Sequence, residues 1–466
     1  MQVKRKRHWF WLQFSLVTVV ISVSVSSTHA SGFKILNQSA SGVGQSGAFA
    51  AQADDPSALF FNPAGMTQLR GIQTSFGTLL VGGSTNFTSP TGITTRGDFG
   101  GSAAFPPPSN YYLTANLRDL GMAALDGFTA GIGVLSPFGV LYRYPNDSPF
   151  STAVTSEALQ LIDIKPTLAY KLNDQLSVGL GADIYTFASF WGEGRGAVKL
   201  NNAGLPGIPP GTPLEINGND TAAGFNVSLL YTPFRNSTGK PLANIGLVYR
   251  SQATLHLDGS FLANGSPVAD ASTTLVLPQV ITGAIAVWPI RNKDHEWKVE
   301  LDVDYTGWKS FRNTDVHLST GTTIPFARNW FGAYTTMVGT EYKWLRLEHL
   351  PHWEIAVRGG YWYSQNAVPD SSFTPTVPDS NNHAISAGLG LLCKGKGQFL
   401  GLLTCGSEEG GFLRPKALGL DVAFQALLFE PRTVTGNQNP VAIPGSVDGT
   451  YKTTWYVGSI NLRVNF

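Results

Sequence analysis

Apolar and polar residues alternate along most of the chain. Near the C-terminus Tyr456, Gly458, Ile460, Leu462, Val464 and Phe466 share one face of an extended segment, and Trp455, Val457, Ser459, Asn461, Arg463 and Asn465 share the other. Side chains alternate sides along a strand, so this pattern predicts one apolar and one mostly polar face. The same period recurs upstream. Val299, Leu301, Val303 and Tyr305 oppose Lys298, Glu300, Asp302 and Asp304; Leu418, Leu420, Val422 and Phe424 oppose Gly419, Asp421 and Gln425; Phe225, Val227, Leu229 and Tyr231 oppose Asn226 and Ser228; Ile162, Ile164, Leu168 and Tyr170 oppose Asp163 and Lys165. Counted back from Phe466, such runs predict about fourteen strands of roughly ten residues, the length a tilted barrel strand needs. Their expected centres lie near residues 77, 114, 132, 165, 181, 227, 247, 284, 302, 338, 358, 387, 423 and 461.

Periodicity alone does not say which face meets solvent, because a soluble sandwich also alternates. The first 30 residues change the picture. Lys4, Arg5, Lys6 and Arg7 precede an apolar stretch from Trp9 to about Val25, and Thr28-His29-Ala30 offers a small-residue cleavage site. Residues 1–30 are therefore expected to be a cleaved export signal. No later stretch has the roughly 18 consecutive apolar residues of a membrane helix. The terminal aromatic Phe466 also resembles the C-terminal signature of outer-membrane barrels. Together these favour an all-β transmembrane antiparallel barrel in a Gram-negative outer membrane, apolar outside and polar within.

Composition agrees. Charged residues make up 14% of the 466, aromatics 11%, and Gly contributes 52; mean hydropathy is zero. Of the 32 basic residues four lie in the expected signal, leaving 28 against 31 acidic ones and a net charge of −3. That balance carries no nucleic-acid signature. An even strand count puts both barrel ends on the periplasmic side. Long connections (about 190–221, 251–278, 310–331, 364–381 and 430–450) then alternate with short ones such as 171–175 and 232–241. The connection holding Cys393 and Cys405, the two cysteines of the chain, falls on the short side yet is long. In an oxidising periplasm these are expected to form a disulfide. The cysteines have no nearby His, and the 300–302–304 carboxylate ladder has none either, so no metal site is expected.

Residues 31 to about 70 break the strand rhythm. They are rich in Ser, Gly, Ala and Gln, and a plug inside the lumen is the economical place for them. This gives residues 1–30 as signal, 31–70 as plug and 71–466 as barrel. The segment GFKILNQSASGVGQSGAFAAQADDPSALFFNPAGMTQL (Gly32–Leu69) resembles the hatch of the FadL/TodX family of outer-membrane fatty-acid and hydrocarbon transporters. The likeness rests on Gly32-Phe33, the SASGVG run, Asp54-Asp55 and Asn62-Pro63-Ala64. It continues in SPFG (Ser136–Gly139), YTGW (Tyr305–Trp308) and VPDSNNHAISAG (Val377–Gly388).

The resemblance implies passive transport of hydrophobic molecules, most simply long-chain fatty acids, with aromatic hydrocarbons or alkanes as the alternative. It implies an outer groove, an apolar lumenal pocket and a sideways exit through the wall, with no cofactor. The exit is expected in Gly131–Gly139, as a strand incompletely paired with its neighbour. Gly131 and Gly133 would permit an inward kink, and Pro137, beside Ser136, lacks a ladder donor. Leu205, Ile208, Pro209, Pro210, Phe261 and Leu262 could form the groove or simply pack their loops. Trp362 and Trp455 are expected on lumenal faces, where they could bind ligand or pack against the hatch. Lys165, Arg250, Arg358 and Arg463 are also expected to point inward, as are Glu300, Asp302, Asp304, Glu354 and Asp421. A cation there could hold a ligand carboxylate, but a salt-bridge lattice fixing the plug is the favoured role for any one of them. No G-x-S-x-G elbow appears and the His residues fall mostly in loops, so no catalytic site is expected. A polar-solute porin or a surface adhesin is the competing class, and a porin should not carry a forty-residue plug. The protein is expected to act as a monomer among outer-membrane lipid and lipopolysaccharide.

Overall fold

The computed structural model describes residues 32–399, 401, 403–406 and 414–466, so the expected signal, residues 1–30, lies outside the described residues. Fourteen strands form a closed antiparallel barrel. In chain order they are β1 (Ile72–Thr88), β2 (Ser109–Asn116), β3 (Phe128–Leu135), β4 (Ser156–Lys171), β5 (Leu176–Phe187), β6 (Ala222–Arg235) and β7 (Pro241–Arg250). They continue as β8 (Val280–Arg291), β9 (His295–Thr306), β10 (Ala333–Trp344), β11 (Trp353–Ser364), β12 (Asn382–Lys394), β13 (Ala417–Phe429) and β14 (Gly449–Asn465). Each expected centre falls inside one of them. The ring closes where β14 pairs with β1, from Gln73↔Asn465 to Thr88↔Thr450.

The alternation decides the faces. Phe76, Leu80, Leu180, Phe225, Ile285 and Leu462 point outward and are exposed, while Asp163, Lys165, Asn226, Glu300, Asp302 and Gln425 are buried in the lumen. This is the inside-out arrangement of a membrane barrel: lipid solvates the outer apolar side chains, and closure of the ring pairs most of the strand edges. Outside the membrane, strands Gly196–Asn201, Pro213–Asn219, Ala253–Ala263 and Ser266–Leu277 pair into a sheet over the extracellular mouth. Leu205, Ile208 and Phe261 pack in the apolar cluster on this sheet, with Leu200, Leu214 and Val316. Pro209 and Pro210 are exposed and Leu262 is half-buried.

Residues 33–66 are mostly buried inside the ring of strands. Ser39 caps the short helix α1 (Ala40–Val43) through Oγ, which accepts from Gly42 N at 3.1 Å. A second short helix, α2 (Ala58–Phe61), leads to Asn62, whose Oδ1 accepts from Ala64 N at 3.1 Å to start a 3-10 turn. Pro63 sits at the first position of that turn, where a missing N–H costs nothing. Asn62 Nδ2 also donates to Ala50 O (2.8 Å) and, across to β6, to Leu229 O (3.1 Å). The Asn-Pro-Ala motif therefore both shapes the plug and ties it to the wall.

One wall segment departs from the expectation. Gly131 and Gly133 lie in a stretch of β3 that pairs on both sides, with β2 through Thr114↔Gly131 and Tyr112↔Gly133 and with β4 through Gly131↔Thr167 and Gly133↔Lys165. Their lack of a side chain serves the plug. A Cβ on either would come within 2.8 Å of a Leu59 methyl. The break comes later. Leu135 pairs with Asp163, and pairing with β4 resumes at Gly139↔Gln160. Three residues, Ser136-Pro137-Phe138, thus face two on β4, and the extra one bends the chain inward.

Cys393, next to last in β12, is bonded to Cys405, twelve positions on, with the two Cα atoms 5.5 Å apart. The small hairpin they close stacks Phe399 on Trp353 at 5.7 Å. A loop this short limits the stabilisation to about 3 kcal/mol or less. Reduction should therefore raise hydrogen exchange at 394–406 while β11, β12 and β13 keep their protection. Loss of protection in those strands would show the bridge to be a global brace.

Candidate functional site

The plug begins with a strap that continues the wall inward. Ile35 N donates to Pro137 O (2.8 Å) and Gly139 N to Phe33 O (3.0 Å), so Phe33–Ile35 pairs with the three-residue bend. Lys34 crosses to β9 and binds Asp304 (2.5 Å) and Thr306 (2.6 Å). This fixes Phe33. Its ring packs against Trp308 (4.7 Å), Phe311 (5.7 Å), Trp330 (5.8 Å) and Phe138 (6.1 Å). Gly32 precedes it at φ +57°, a left-handed conformation, and a Cβ there would lie 2.7 Å from Trp330 and 2.8 Å from Trp308. Glycine is required on both counts.

Two apolar cavities meet at Phe33. The inner one, about 170 Å³, lies between the strap and the walls of β1, β13 and β14, and is lined by Leu79, Val81, Leu161, Trp362 and Trp455 among others. The outer one, about 150 Å³, lies beneath the extracellular sheet and is lined by Val198, Leu257, Leu275 and Val316 among others. Phe33, Leu159 and Val377 line both. The inner cavity reaches the wall at Ala104, Pro106, Pro108, Gly139 and Val140. There the barrel ladder is thin. Beyond β2, the β1 edge receives only Ala104 N→Val81 O and gives Leu79 N→Pro108 O (2.8 Å each) before the Thr94–Asp98 hairpin takes over. Between that segment and Gly139–Arg143, Asp98↔Arg143 is the single ladder pair among the described residues.

The four expected inward cations are all on or near the lumenal face, and all are engaged outside the two large cavities. Lys165 pairs with Asp183. Arg358 holds Glu341 and Asp421, each at 2.7 Å, and Arg463 reaches Asp421 at 2.6 Å. Arg250 binds the Phe60 carbonyl and lies over the Phe60 ring. The carboxylate ladder has the same purpose. Asp302 accepts the N–H groups of Phe49 and Ala50 at 3.1 and 3.0 Å; Glu300 accepts those of Ala51 and Gln52 at 2.6 and 3.2 Å. These acids satisfy plug backbone that would otherwise be buried unpaired. Glu354 pairs instead with Lys394 near the periplasmic rim. Trp362 and Trp455, by contrast, do face the inner cavity. Asp379 lines it too, and burial pushes its carboxyl up to about 6 against the pull of the Ala367 N–H and Arg432.

Two residues of the outer cavity were not singled out from the sequence. Arg328 and Glu157 are the charged side chains that line it. The Arg328 side chain donates through Nε to Thr314 Oγ1 (2.9 Å) and stands over Phe326 at 5.5 Å; no carboxylate pairs with it among the described residues. Burial pulls its pKa down, and the more distant Glu157 opposes that. The local signal was an Arg set between Phe326 and Trp330 in a loop, a pattern without strand or helix period.

The fold and these cavities define an outer-membrane barrel that closes its own lumen and keeps an apolar interior beside a thin place in its wall. The chain matches the family model described as "Outer membrane protein transport protein (OMPP1/FadL/TodX)" over residues 21–397, and it belongs to that family. It is 24% identical over 420 residues to the long-chain fatty acid transport protein of Escherichia coli (strain K12), covering 80% of this chain and 88% of that one. A similar relation holds to the protein of the same name from Salmonella typhi, 24% identical over 404 residues, covering 80% and 87%. Among solved structures, a FadL homologue from Pseudomonas aeruginosa superposes with a TM-score of 0.71 at 17% identity, covering 94% of this chain and all of the other. The toluene transporter TodX of Pseudomonas putida superposes with 0.59 at 14% identity, covering 94% and 98%. The protein is thus an outer-membrane transporter of hydrophobic compounds, and the family consists of transport proteins rather than enzymes.

Proposed function

We propose that this transporter carries long-chain fatty acids, captured in the outer cavity, passed by Phe33 into the inner cavity and released sideways between the 104–108 segment and Gly139–Val140. The observation that carries the substrate reading is Arg328, a guanidinium that forms no ion pair among the described residues, in a largely apolar cavity. A hydrocarbon gains nothing from that charge. A carboxylate supplies the charge-assisted, two-pronged hydrogen bonds that a guanidinium is shaped for. The names of the relatives from Escherichia coli and Salmonella typhi support the same substrate. The TodX likeness, at 14% identity, speaks for the fold and not for toluene.

Two features support the route. Residues 32–70, read as a hatch, block a straight path, and their backbone is bonded to the wall at many points. The inner cavity reaches the lipid boundary where Pro106, Pro107 and Pro108 can give no ladder donor. A greasy chain that leaves there moves from one apolar phase to another without crossing water.

The test is binding of palmitate and of hexadecane to the purified barrel. Arg328→Gln should weaken palmitate by about 1.5–3 kcal/mol, roughly ten- to hundredfold, because a charged hydrogen-bond partner is lost. Hexadecane should bind as before. Equal losses for both ligands would remove the carboxylate reading and leave a hydrocarbon transporter. In cells, labelled palmitate uptake should exceed that of a strain lacking the protein, while small sugars show no gain.

A further inference from the structure

Glu157 is the second charge in the outer cavity, and a plain fatty acid gives it nothing. Its Oε2 accepts the Thr376 hydroxyl at 2.5 Å, which holds the carboxylate in place. Arg328 is held as firmly. Its Nε is bonded to Thr314, its N–H reaches Arg312 O (2.7 Å), and its carbonyl accepts from Ser372 (2.5 Å). The two charges share one cavity yet do not form an ion pair. Each therefore keeps hydrogen-bonding capacity on the cavity side: a guanidinium has five donors, a carboxylate about four acceptor sites. Both side chains are half-buried, and charges partly withdrawn from water with unspent capacity are costly unless a partner arrives.

A ligand carboxylate bound at Arg328 also comes near Glu157, and two carboxylates repel. The repulsion becomes attraction if the ligand brings a donor next to its own acid group. This argument rests on the reading of Arg328 as the head-group site. We infer that the outer cavity prefers long-chain acids bearing a hydroxyl close to the carboxylate, at carbon 2 or 3. Arg328 takes the acid and Glu157 accepts the hydroxyl proton as a hydrogen bond. No covalent step is involved.

The experiment measures dissociation constants on the full barrel in detergent for palmitate, 2-hydroxypalmitate, 3-hydroxypalmitate and 3-methoxypalmitate. The methoxy acid keeps the oxygen but cannot donate, so it tests the idea without any mutation. In the wild-type protein at least one hydroxy acid should bind about tenfold tighter than palmitate, the scale of one hydrogen bond to a buried charge. The methoxy acid should show no gain. In Glu157→Gln the preference should shrink to about twofold, with palmitate itself binding better because a like charge has gone. Glu157→Asp, which keeps the charge, should retain some preference. Each variant is accepted only if it shows the same heat-modifiable mobility as wild type. Equal binding of palmitate and both hydroxy acids in the wild type overturns the inference. So does a preference that survives Glu157→Gln or extends to the methoxy acid. The underlying reading fails separately, and takes the inference with it, if Arg328→Gln weakens none of the acids.

Discussion

Deleting Pro137 should close the wall and sharply slow release of a bound fatty acid from the barrel interior without unfolding the protein. Leu135↔Asp163 and Gly139↔Gln160 differ by a single residue, so removing one of Ser136-Pro137-Phe138 lets the pairing of β3 with β4 run unbroken into Gly139–Arg143. A residue that can donate to the ladder then replaces one that cannot. The straightened chain loses the inward bend, and with it the Ile35 N→Pro137 O bond that draws the strap against the wall. Uptake of labelled palmitate should fall by about tenfold or more, a barrier rise of about 1.4 kcal/mol or greater. Binding to the outer cavity should be largely kept, because Arg328 and its partner Thr314 lie on the 307–332 connection, away from the deletion. A correctly assembled deletion variant with undiminished uptake would falsify the sideways route. The glycines upstream are a poor place for this test. A bulky residue at Gly133 strikes Leu59 of the plug and disturbs the hatch rather than filling a gap.

That misreading of Gly131 and Gly133 shows what the sequence carried and what it did not. The barrel was legible because its signal is local. Period-two alternation survives in Val299–Tyr305 or Tyr456–Val464 whatever the rest of the chain does, and export cues decided which face looks out. The inward direction of Lys165, Arg358 and Arg463 followed from the same period. Their partners did not. Asp183, Glu341 and Asp421 are brought to them by neighbouring strands, and only the closed ring defines that adjacency. The glycines of β3 are small because of Leu59, more than seventy positions away. The bend fell where the chain holds Pro137, but its extra residue is visible only against β4. Arg328 sits in a loop, where no period marks inside from outside, and its meaning comes from the cavity formed around it by five other connections, β4 and the strap.

The largest effect on stability should come from Arg358→Ala, and it should fall on the plug. Arg358 is the centre of a charge chain that crosses the lumen. Asp54 of the plug pairs with Lys343 (3.0 Å), Lys343 with Glu341 (2.9 Å), Glu341 with Arg358, Arg358 with Asp421, and Asp421 with Arg463. Its side chain is only 3% exposed, and the plug packs so close that a Cβ on Gly44 would lie 3.3 Å from the Arg358 Cβ. Removing one member of a buried pair leaves the other charge without compensation, which costs about 3–5 kcal/mol. Here two carboxylates each lose one cation and keep another, Glu341 with Lys343 and Asp421 with Arg463, so the cost should fall toward the lower end of that range. The barrel ladder does not depend on this residue, so the cost is met most cheaply by unseating the plug. Arg358→Ala should therefore keep its heat-modifiable mobility but expose residues 39–55 to hydrogen exchange. Planar bilayers should show ion conductance that the wild-type protein lacks. Arg358→Lys should lie between the two, because one ammonium cannot fork to both acids as a guanidinium does. If Arg358→Ala leaves both exchange and conductance at wild-type levels, the charge chain is not what holds the plug, and its other ties to the wall, the backbone bonds to Glu300 and Asp302 among them, must hold it.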